Sequence, residues 1–553
     1  MNFKINESIT KLRGGYYTPA PVAKFLSQWV LNKKPKTILE PSCGDGVFIR
    51  ALNGILKYKT SFTGIELFSE EAEKAKYSAT KNRLLQSQII VSDFLDWANR
   101  KIEENTKFDA VIGNPPYIRY QYLEDKAQQL AETIFSKFDL SFTKHTNAWV
   151  SFIIASIGLL APSGRLAMVI PSEILHVLHA ESLRKFLLSE CERILLIDPN
   201  ELLFEQALQG TMLLLVEKKN KPYIPSKGVA ILSAPDNTFL SNNPELYFQK
   251  AKYLSGDLLN GKWMKVLLSS AELNVFEKVT KYKSITRFNK LATVDVGIVT
   301  GANKFFLVND EIVAQFKLHK YIRPMFGRSA YCPGIIYDHK IHKMNQKQGF
   351  PTNFLMFDAT PIEKLPKGIR DYIKQGELLH IHTRYKCRIR SPWYKVPSLY
   401  STAVCMLKRS HNFPRLILNK AKVFTTDTAY RICPISKDIP NLIFNFINSL
   451  TALSAELEGR HYGGGVLELV PSEIEKLFVP ETRNSSISLA DLDNRIKNSV
   501  RTDILFPQQD KIVLKAAGLS GSECDVLYNA WDKIRSRRQR LVSNAYEGSD
   551  FYE

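Results

Sequence analysis

The sequence is poor in cysteine. Its seven cysteines (Cys43, Cys191, Cys332, Cys387, Cys405, Cys433 and Cys524) are scattered over 553 residues with no CxxC pair. That spacing argues against a disulfide framework and against a zinc site. No apolar run approaches the ~20 residues that span a bilayer. The first residues, Met1-Asn2-Phe3-Lys4-Ile5-Asn6-Glu7, hold no apolar core of a signal peptide. A cytoplasmic protein with no membrane contact is therefore expected. The Gly-rich stretch Gly44-Asp45-Gly46 is not followed by Gly-Lys-Ser/Thr, which disfavours a phosphate-binding P-loop. The sequence shows no internal repeat, no low-complexity tract and no Pro-Asp…Asp/Glu-x-Lys signature of a metal-dependent nuclease.

What is present is length and unevenly spread positive charge. At 553 residues the chain exceeds one hydrophobic core and implies two or three domains. The net charge is +20. Residues 1–220 carry 27 Lys and Arg against 24 Asp and Glu, a net +3. Residues 281–440 carry 28 against 10, a net +18. A positive field confined to one stretch is the electrostatic footprint of a polyanion-binding face.

The first half alternates strand and helix patterns, the signature of an α/β parallel sheet. Strands are expected at Thr37–Glu40, Ser61–Glu66, Gln88–Asp93, the segment ending at Asn114, Arg165–Pro171, Arg193–Ile197 and Thr211–Glu217. Helices are expected at Val47–Leu56, Ser69–Lys81 and Asn147–Leu160. Lys218-Lys219-Asn220-Lys221-Pro222 reads as a linker. The expected domains are 1–225, a mixed domain at 226–490 with short strands and Pro/Gly loops, and a helical basic extension at 491–553 ending in Lys533–Arg540.

The segment Gly113-Asn114-Pro115-Pro116-Tyr117 carries the chemistry. Two prolines stiffen the chain where a strand ends. Such a turn holds one carboxamide and one ring at fixed positions. The Asn114 oxygen and a backbone carbonyl can accept both N–H bonds of an exocyclic amino group, while the Tyr117 ring can stack on the base. Alone, the tetrapeptide also reads as a proline-stopped strand with a surface tyrosine. Glu66 follows Gly46 by 20 residues, where a nucleoside-binding α/β fold places an acid against ribose hydroxyls. Asp93 ends the next strand with Phe94 beside it, an acceptor for an adenine amino group and a ring for its face. Each acid alone also reads as a helix cap; together they line one crevice.

In this order the motifs resemble an S-adenosylmethionine-dependent adenine-N6 DNA methyltransferase of the gamma, TaqI-like class, found in restriction-modification systems. Gly14-Gly15-Tyr16-Tyr17-Thr18-Pro19 resembles the family's N-terminal cofactor motif, and Leu39-Glu40-Pro41-Ser42-Cys43-Gly44-Asp45-Gly46 its Gly-rich loop. Gly64-Ile65-Glu66 resembles the ribose-binding strand end, Ser92-Asp93-Phe94 the adenine-contacting motif and Gly113–Tyr117 the catalytic one. Gly164–Pro171 and Leu203-Phe204 resemble later motifs. The match covers residues 12–220. Gly297–Phe306 is similar to the start of such enzymes' recognition domain and Arg460–Leu469 to a segment near its end.

The resemblance implies a Rossmann-like domain with a mostly parallel seven-stranded sheet and a C-terminal mixed α+β DNA-recognition domain. It implies S-adenosylmethionine contacts at Thr18, Glu40, Pro41, Ser42, Gly44, Gly46, Glu66, Asp93, Phe94 and Asn114. Asn114, Pro115 and Tyr117 would act on an adenine flipped out of the duplex, gripped by Tyr117 and Phe204. No cysteine nucleophile is needed, so Cys43 reads as a packing residue. Lys304, Arg384, Lys386, Arg388 and Arg390 are the expected contacts to double-stranded DNA. Alternatives are an RNA adenine-N6 methyltransferase, a non-catalytic DNA-recognition subunit and a glutamine methyltransferase acting on release factors, whose chains are much shorter. A monomer is expected, with any cognate restriction endonuclease a separate protein.

Overall fold

The computed structural model describes residues 17–79, 85–199, 210–259, 261–357, 359–397, 400–462, 464–483 and 488–543. One compact unit comprises the chain to Leu267 together with the chain from Arg540 on, and a second spans Leu268–Gln539.

The first unit is built on an eight-stranded sheet in the order β3-β2-β1-β4-β5-β7-β6-β8. The strands are β1 (Thr37–Glu40), β2 (Thr60–Glu66), β3 (Leu85–Val91), β4 (Phe108–Gly113), β5 (Leu160–Pro171), β6 (Cys191–Pro199), β7 (Thr211–Lys218) and β8 (Gly228–Ala234). Only β7 runs antiparallel to its neighbours. Ile38, Leu39, Ala110, Val111 and Ile112 are buried, as central parallel strands covered on both faces must be. Strand order reverses between β1 and β4, which pair in register Ile38↔Ala110 and Leu39↔Val111. The loops leaving β1 and β4 therefore flank a switch-point crevice, the general place for a ligand in open α/β sheets.

The first six α-helices of this unit are α1 (Ala20–Leu31), α2 (Val47–Ile55), α3 (Ser69–Ala79), α4 (Phe94–Glu103), α5 (Asp125–Lys137) and α6 (Ala148–Leu159). At the far end of the sheet, the Asp109 carboxylate accepts from the Thr37 N–H at 3.1 Å and the Lys36 N–H at 2.8 Å, which ties the start of β4 to β1. Arg165 is buried on β5. It donates to Glu217, to Glu245 and to the Trp29 carbonyl, so this buried cation is paired as burial requires.

The sheet has one strand more than the seven expected. Lys218–Pro222 leads into a turn, with the Ile224 N–H on the Lys221 carbonyl. The chain then returns as β8, parallel to β6 from Arg193↔Gly228 to Pro199↔Ala234. A polar break looks the same in a sequence whether it separates domains or strands.

The second unit is mixed α+β. Its five-stranded sheet runs Ala292–Val296, Ala429–Pro434, Val404–Leu407, Leu416–Asn419 and Ile336–Tyr337. A four-stranded sheet is formed by Leu307–Val308, Asn353–Leu355, Ile322–Phe326 and Phe424–Thr425. The C-terminal helices Leu489–Lys497 and Thr502–Ala516, and the helix Gly521–Ser543 as far as Gln539, belong to this unit. Arg538 is buried and grips Glu456 through Nε at 3.0 Å and Nη2 at 2.7 Å. Lys533 pairs with Glu272, and Arg535 lies over the Trp531 ring. The described part of the basic run thus holds the fold together. No helix among the described residues is long and apolar enough to cross a membrane.

Candidate active site

The β1 loop uses its two glycines differently. Gly46 caps α2 at φ +85°, and a Cβ there would lie 3.1 Å from Ala75 Cα and 3.2 Å from Ser78 Cβ. It is glycine for handedness and for the close approach of α2 to α3. Gly44, at φ +50°, has nothing within 4 Å of a Cβ. Its flank is open to a ligand, and its N–H donates to Glu66 Oε2 at 2.8 Å. Cys43 is buried against Gly64, where a Cβ would sit 3.1 Å from its sulfur. Burial pushes that thiol up, away from the reactive thiolate.

Three acids stand at or just after the ends of β1, β2 and β3. Glu40 ends β1, fully buried, and its Oε2 has no hydrogen-bond partner among the described residues. Burial, then the nearby Glu66 and Asp45 carboxylates, push its carboxyl well above the usual range. Such a group holds a proton and seeks a partner. Glu66 is fixed by the Gly44 N–H on one oxygen and the Phe68 N–H on the other, at 3.0 Å. Asp93 caps α4, with Oδ1 accepting from the Leu95 and Asp96 N–H groups at 2.7 and 3.1 Å. Both cap bonds fall on a single oxygen.

Asn114 follows β4 directly. Its carbonyl accepts from the Ser42 hydroxyl at 3.0 Å, so the Gly-rich loop and the Asn-Pro-Pro-Tyr turn are tied across the switch point. The Tyr117 hydroxyl donates to Asn114 Oδ1 at 2.9 Å. Pro115 is buried, and Pro116 and Tyr117 are half-buried. The end of the segment is pinned to the start of α6, with the Ala148 N–H on the Ile118 carbonyl and the Tyr120 N–H on that of Thr146.

Other expected residues fare unevenly. Thr18 is buried just before α1. Pro41 lies beside Gly113, its Cδ 3.4 Å from a Cβ built there. Phe94 is only 3% exposed, and its ring packs on Phe152 at 4.9 Å and Trp97 at 6.4 Å. That places it in the core, not as a ring open to the crevice. Gly14–Tyr16 and Phe204 lie outside the described residues. Leu67 and Phe68, exposed apolar side chains directly after Glu66, are candidates that sequence reasoning missed. Two apolar residues after a strand-end acid were the available signal.

In the second unit Lys304, Arg384, Lys386 and Arg388 are exposed. Arg390 turns inward, donating to the Thr300 carbonyl at 2.8 Å and the Val299 carbonyl at 2.6 Å. It anchors the loop at Gly297–Gly301.

The orphaned Glu40 oxygen, the open flank of Gly44 and the fixed Glu66 carboxylate fit a nucleoside cofactor that carries its own hydrogen-bonding groups. Two family models match the chain. They are the Eco57I restriction-modification methylase over residues 30–204 and the C-terminal domain of type II methyltransferase M.Eco57I over residues 260–514. Type II methyltransferase M.AccI of Acinetobacter calcoaceticus is 26% identical, over 83% of this chain and 84% of its own. Type II methyltransferase M.BstVI of Geobacillus stearothermophilus is 21% identical, over 89% and 93%. Among solved structures, the type IIL restriction-modification enzyme MmeI in complex with DNA aligns with a TM-score of 0.61. It is 14% identical and covers 96% of this chain and 80% of that one, a likeness of fold.

Proposed function

Since this chain belongs to the restriction-modification DNA methyltransferases, we propose that it methylates the N6 amino group of adenine in a specific duplex sequence. Its cofactor is S-adenosylmethionine. The observation that carries the adenine reading is the Asn114–Tyr117 turn, tied through Ser42 to the loop that meets Glu66.

Glu40, Glu66, Asp93 and the Gly44 flank would hold the cofactor, whose sulfonium supplies an electrophilic methyl group. Adenine's amino lone pair is delocalised and nucleophilically weak. Asn114 Oδ1 and the Pro115 carbonyl accept its two N–H bonds and favour a tetrahedral nitrogen. They also stabilise the positive charge that grows there during attack. The Tyr117 ring, with Phe204, grips the base. A paired adenine is reached only by flipping it out, at a cost of a few kcal/mol. Aligning donor and acceptor contributes much of the rate. The second unit's +18 stretch reads the duplex, with Lys304, Arg384, Lys386 and Arg388 as phosphate or base contacts. The protein acts as a cytoplasmic monomer, and any cognate endonuclease is a separate protein.

The test is incubation with tritiated S-adenosylmethionine and, separately, duplex DNA, RNA or protein. Label in duplex DNA at N6-methyladenine is expected, and methylome sequencing of cells expressing the chain then gives the site. Label confined to RNA or protein would overturn the proposal.

A further inference from the structure

Four large apolar side chains stand in solvent within twelve residues of the second unit. Leu378 is 80% exposed, Leu379 64%, Tyr385 62% and Ile389 60%. Isolated exposed leucines need no explanation, whereas a cluster marks a contact surface.

The base of this segment is rigid. The helix Lys367–Leu378 packs so closely that a Cβ on Gly376 would lie 2.5 Å from the Phe305 ring and 2.9 Å from Trp393. The Tyr372 hydroxyl donates to the Phe305 carbonyl at 2.6 Å, and Trp393 Nε1 to Glu377 at 3.1 Å. His380 then turns the chain at φ +53°. Ile381 and Cys387 are buried beneath, and Arg390 clamps the far end to Thr300 and Val299. The apolar side chains face outward because a fixed backbone presents them, not because the segment is loose.

The same twelve residues carry charge of one sign at their surface. Arg384, Lys386 and Arg388 are exposed. The Lys386 ammonium lies 5.5 Å from the Tyr385 ring centroid and the Arg388 guanidinium 5.7 Å. A protein partner would have to desolvate these cations or match them with acids. A nucleic acid offers phosphates to the cations and base faces to the apolar groups at once.

We infer that Leu378, Leu379, Tyr385 and Ile389 form a rigid apolar wedge that enters a groove of the bound duplex and unstacks a base step, while Arg384, Lys386 and Arg388 hold the flanking phosphates. This rests on the DNA methyltransferase reading above. It adds that the recognition unit deforms its DNA as well as contacting it. Specificity then includes the deformability of the step that receives the wedge.

The test uses the full chain and a duplex carrying the site found by methylome sequencing, with 2-aminopurine placed at successive steps. Besides the rise at and beside the flipped adenine, the wild-type protein should raise fluorescence at one further step. Leu378→Ser combined with Leu379→Ser should abolish that rise and weaken binding about tenfold or more, with the salt slope and S-adenosylmethionine binding unchanged. Arg388→Gln should instead lower the salt slope by about 1 and keep the fluorescence rise. A double serine variant that retains wild-type fluorescence and affinity, while the wild type methylates the duplex, overturns the wedge alone. So does a wild-type dimer in light scattering that the double variant converts to monomer, since a second copy would then cover the patch. A wild-type chain that neither binds nor methylates duplex overturns both readings.

Discussion

The Tyr117 hydroxyl donates a 2.9 Å hydrogen bond to the Asn114 side-chain oxygen. The residue expected to stack on the base therefore also orients the group expected to bind its amino hydrogens. A carboxamide oxygen has two lone pairs, and the tyrosine hydroxyl engages one of them. Tyr117→Phe keeps the ring and removes the tie. Methyl transfer should fall by about tenfold or less, the worth of one neutral hydrogen bond, with little change in KM. Tyr117→Ala removes both and should cost far more. Equal losses in the two variants would refute the orienting role. Single-turnover rates with labelled S-adenosylmethionine make the comparison.

Asn114→Ala should abolish methylation while S-adenosylmethionine still binds, because the loop proposed to meet the cofactor is fixed by Glu66 and not by this side chain. Ser42→Ala lies between these extremes. It releases the Asn114 carbonyl without touching the carboxamide, so kcat should drop while folding is retained. Calorimetric cofactor binding beside kinetics separates the cases, and loss of cofactor binding in Asn114→Ala would refute the assigned division of labour.

The two loop glycines should fail in opposite ways. Gly46→Ala meets both a left-handed backbone and the α3 helix, so a destabilisation of about 1–3 kcal/mol is expected. Gly44→Ala meets open space. Its cost should appear as cofactor affinity weakened about tenfold or more, with a smaller fall in Tm. Thermal melts with and without S-adenosylmethionine decide this. A Gly44 variant that melts like Gly46→Ala but binds cofactor normally would contradict it.

The strands that carry the candidate site were legible because central parallel strands are short, apolar and bounded by Gly or Pro. β1, β2 and β4 deliver Glu40, Glu66 and Asn114 where the patterns place them. What escaped depended on distant partners. β8 is recognisable only through β6, which precedes it by about 35 residues. Arg390 and Arg388 look alike in the sequence, and only the Thr300 carbonyl, 90 residues away, turns one inward. Arg538 reads as one of a basic run until Glu456, 82 residues earlier, is beside it. Phe94 is adjacent to Asp93, yet as the first residue of a helix it points to Phe152 and the core.

That distinction between arginines is measurable. Arg390→Ala should loosen Gly297–Gly301 and cost about 1 kcal/mol, by leaving two carbonyls without their donor. Duplex affinity should fall with no change in salt slope. Arg384→Ala or Arg388→Ala should leave the melt unchanged and reduce the salt slope by about 1. An Arg390 variant that alters only the salt slope would show that this residue meets phosphate after all.

Two buried carboxyls of the second unit should respond to pH with opposite signs. Burial alone would raise Glu456, but the Arg538 charge and the His461 and Arg538 hydrogen bonds lower it to about 2. Its folded value lies below the unfolded one, so its stabilisation is present above about pH 4.5 and is lost as pH falls towards 2. Asp510 is pushed up to about 7 by burial, although Ser449 donates to it through N–H and hydroxyl. The folded state therefore holds a proton that the unfolded state has released, and stability falls as pH rises from about 4 to 7. Asp510→Asn can keep both Ser449 contacts, with its amide donating to the hydroxyl, and should remove that slope. Hydrogen exchange of Thr502–Ala516 and Ser449–Glu458 at pH 5, 6, 7 and 8 reads it directly. Wild-type protection should decline from pH 5 to 7 relative to the variant and level off by pH 8, and parallel profiles throughout would show that Asp510 stays ionised when folded.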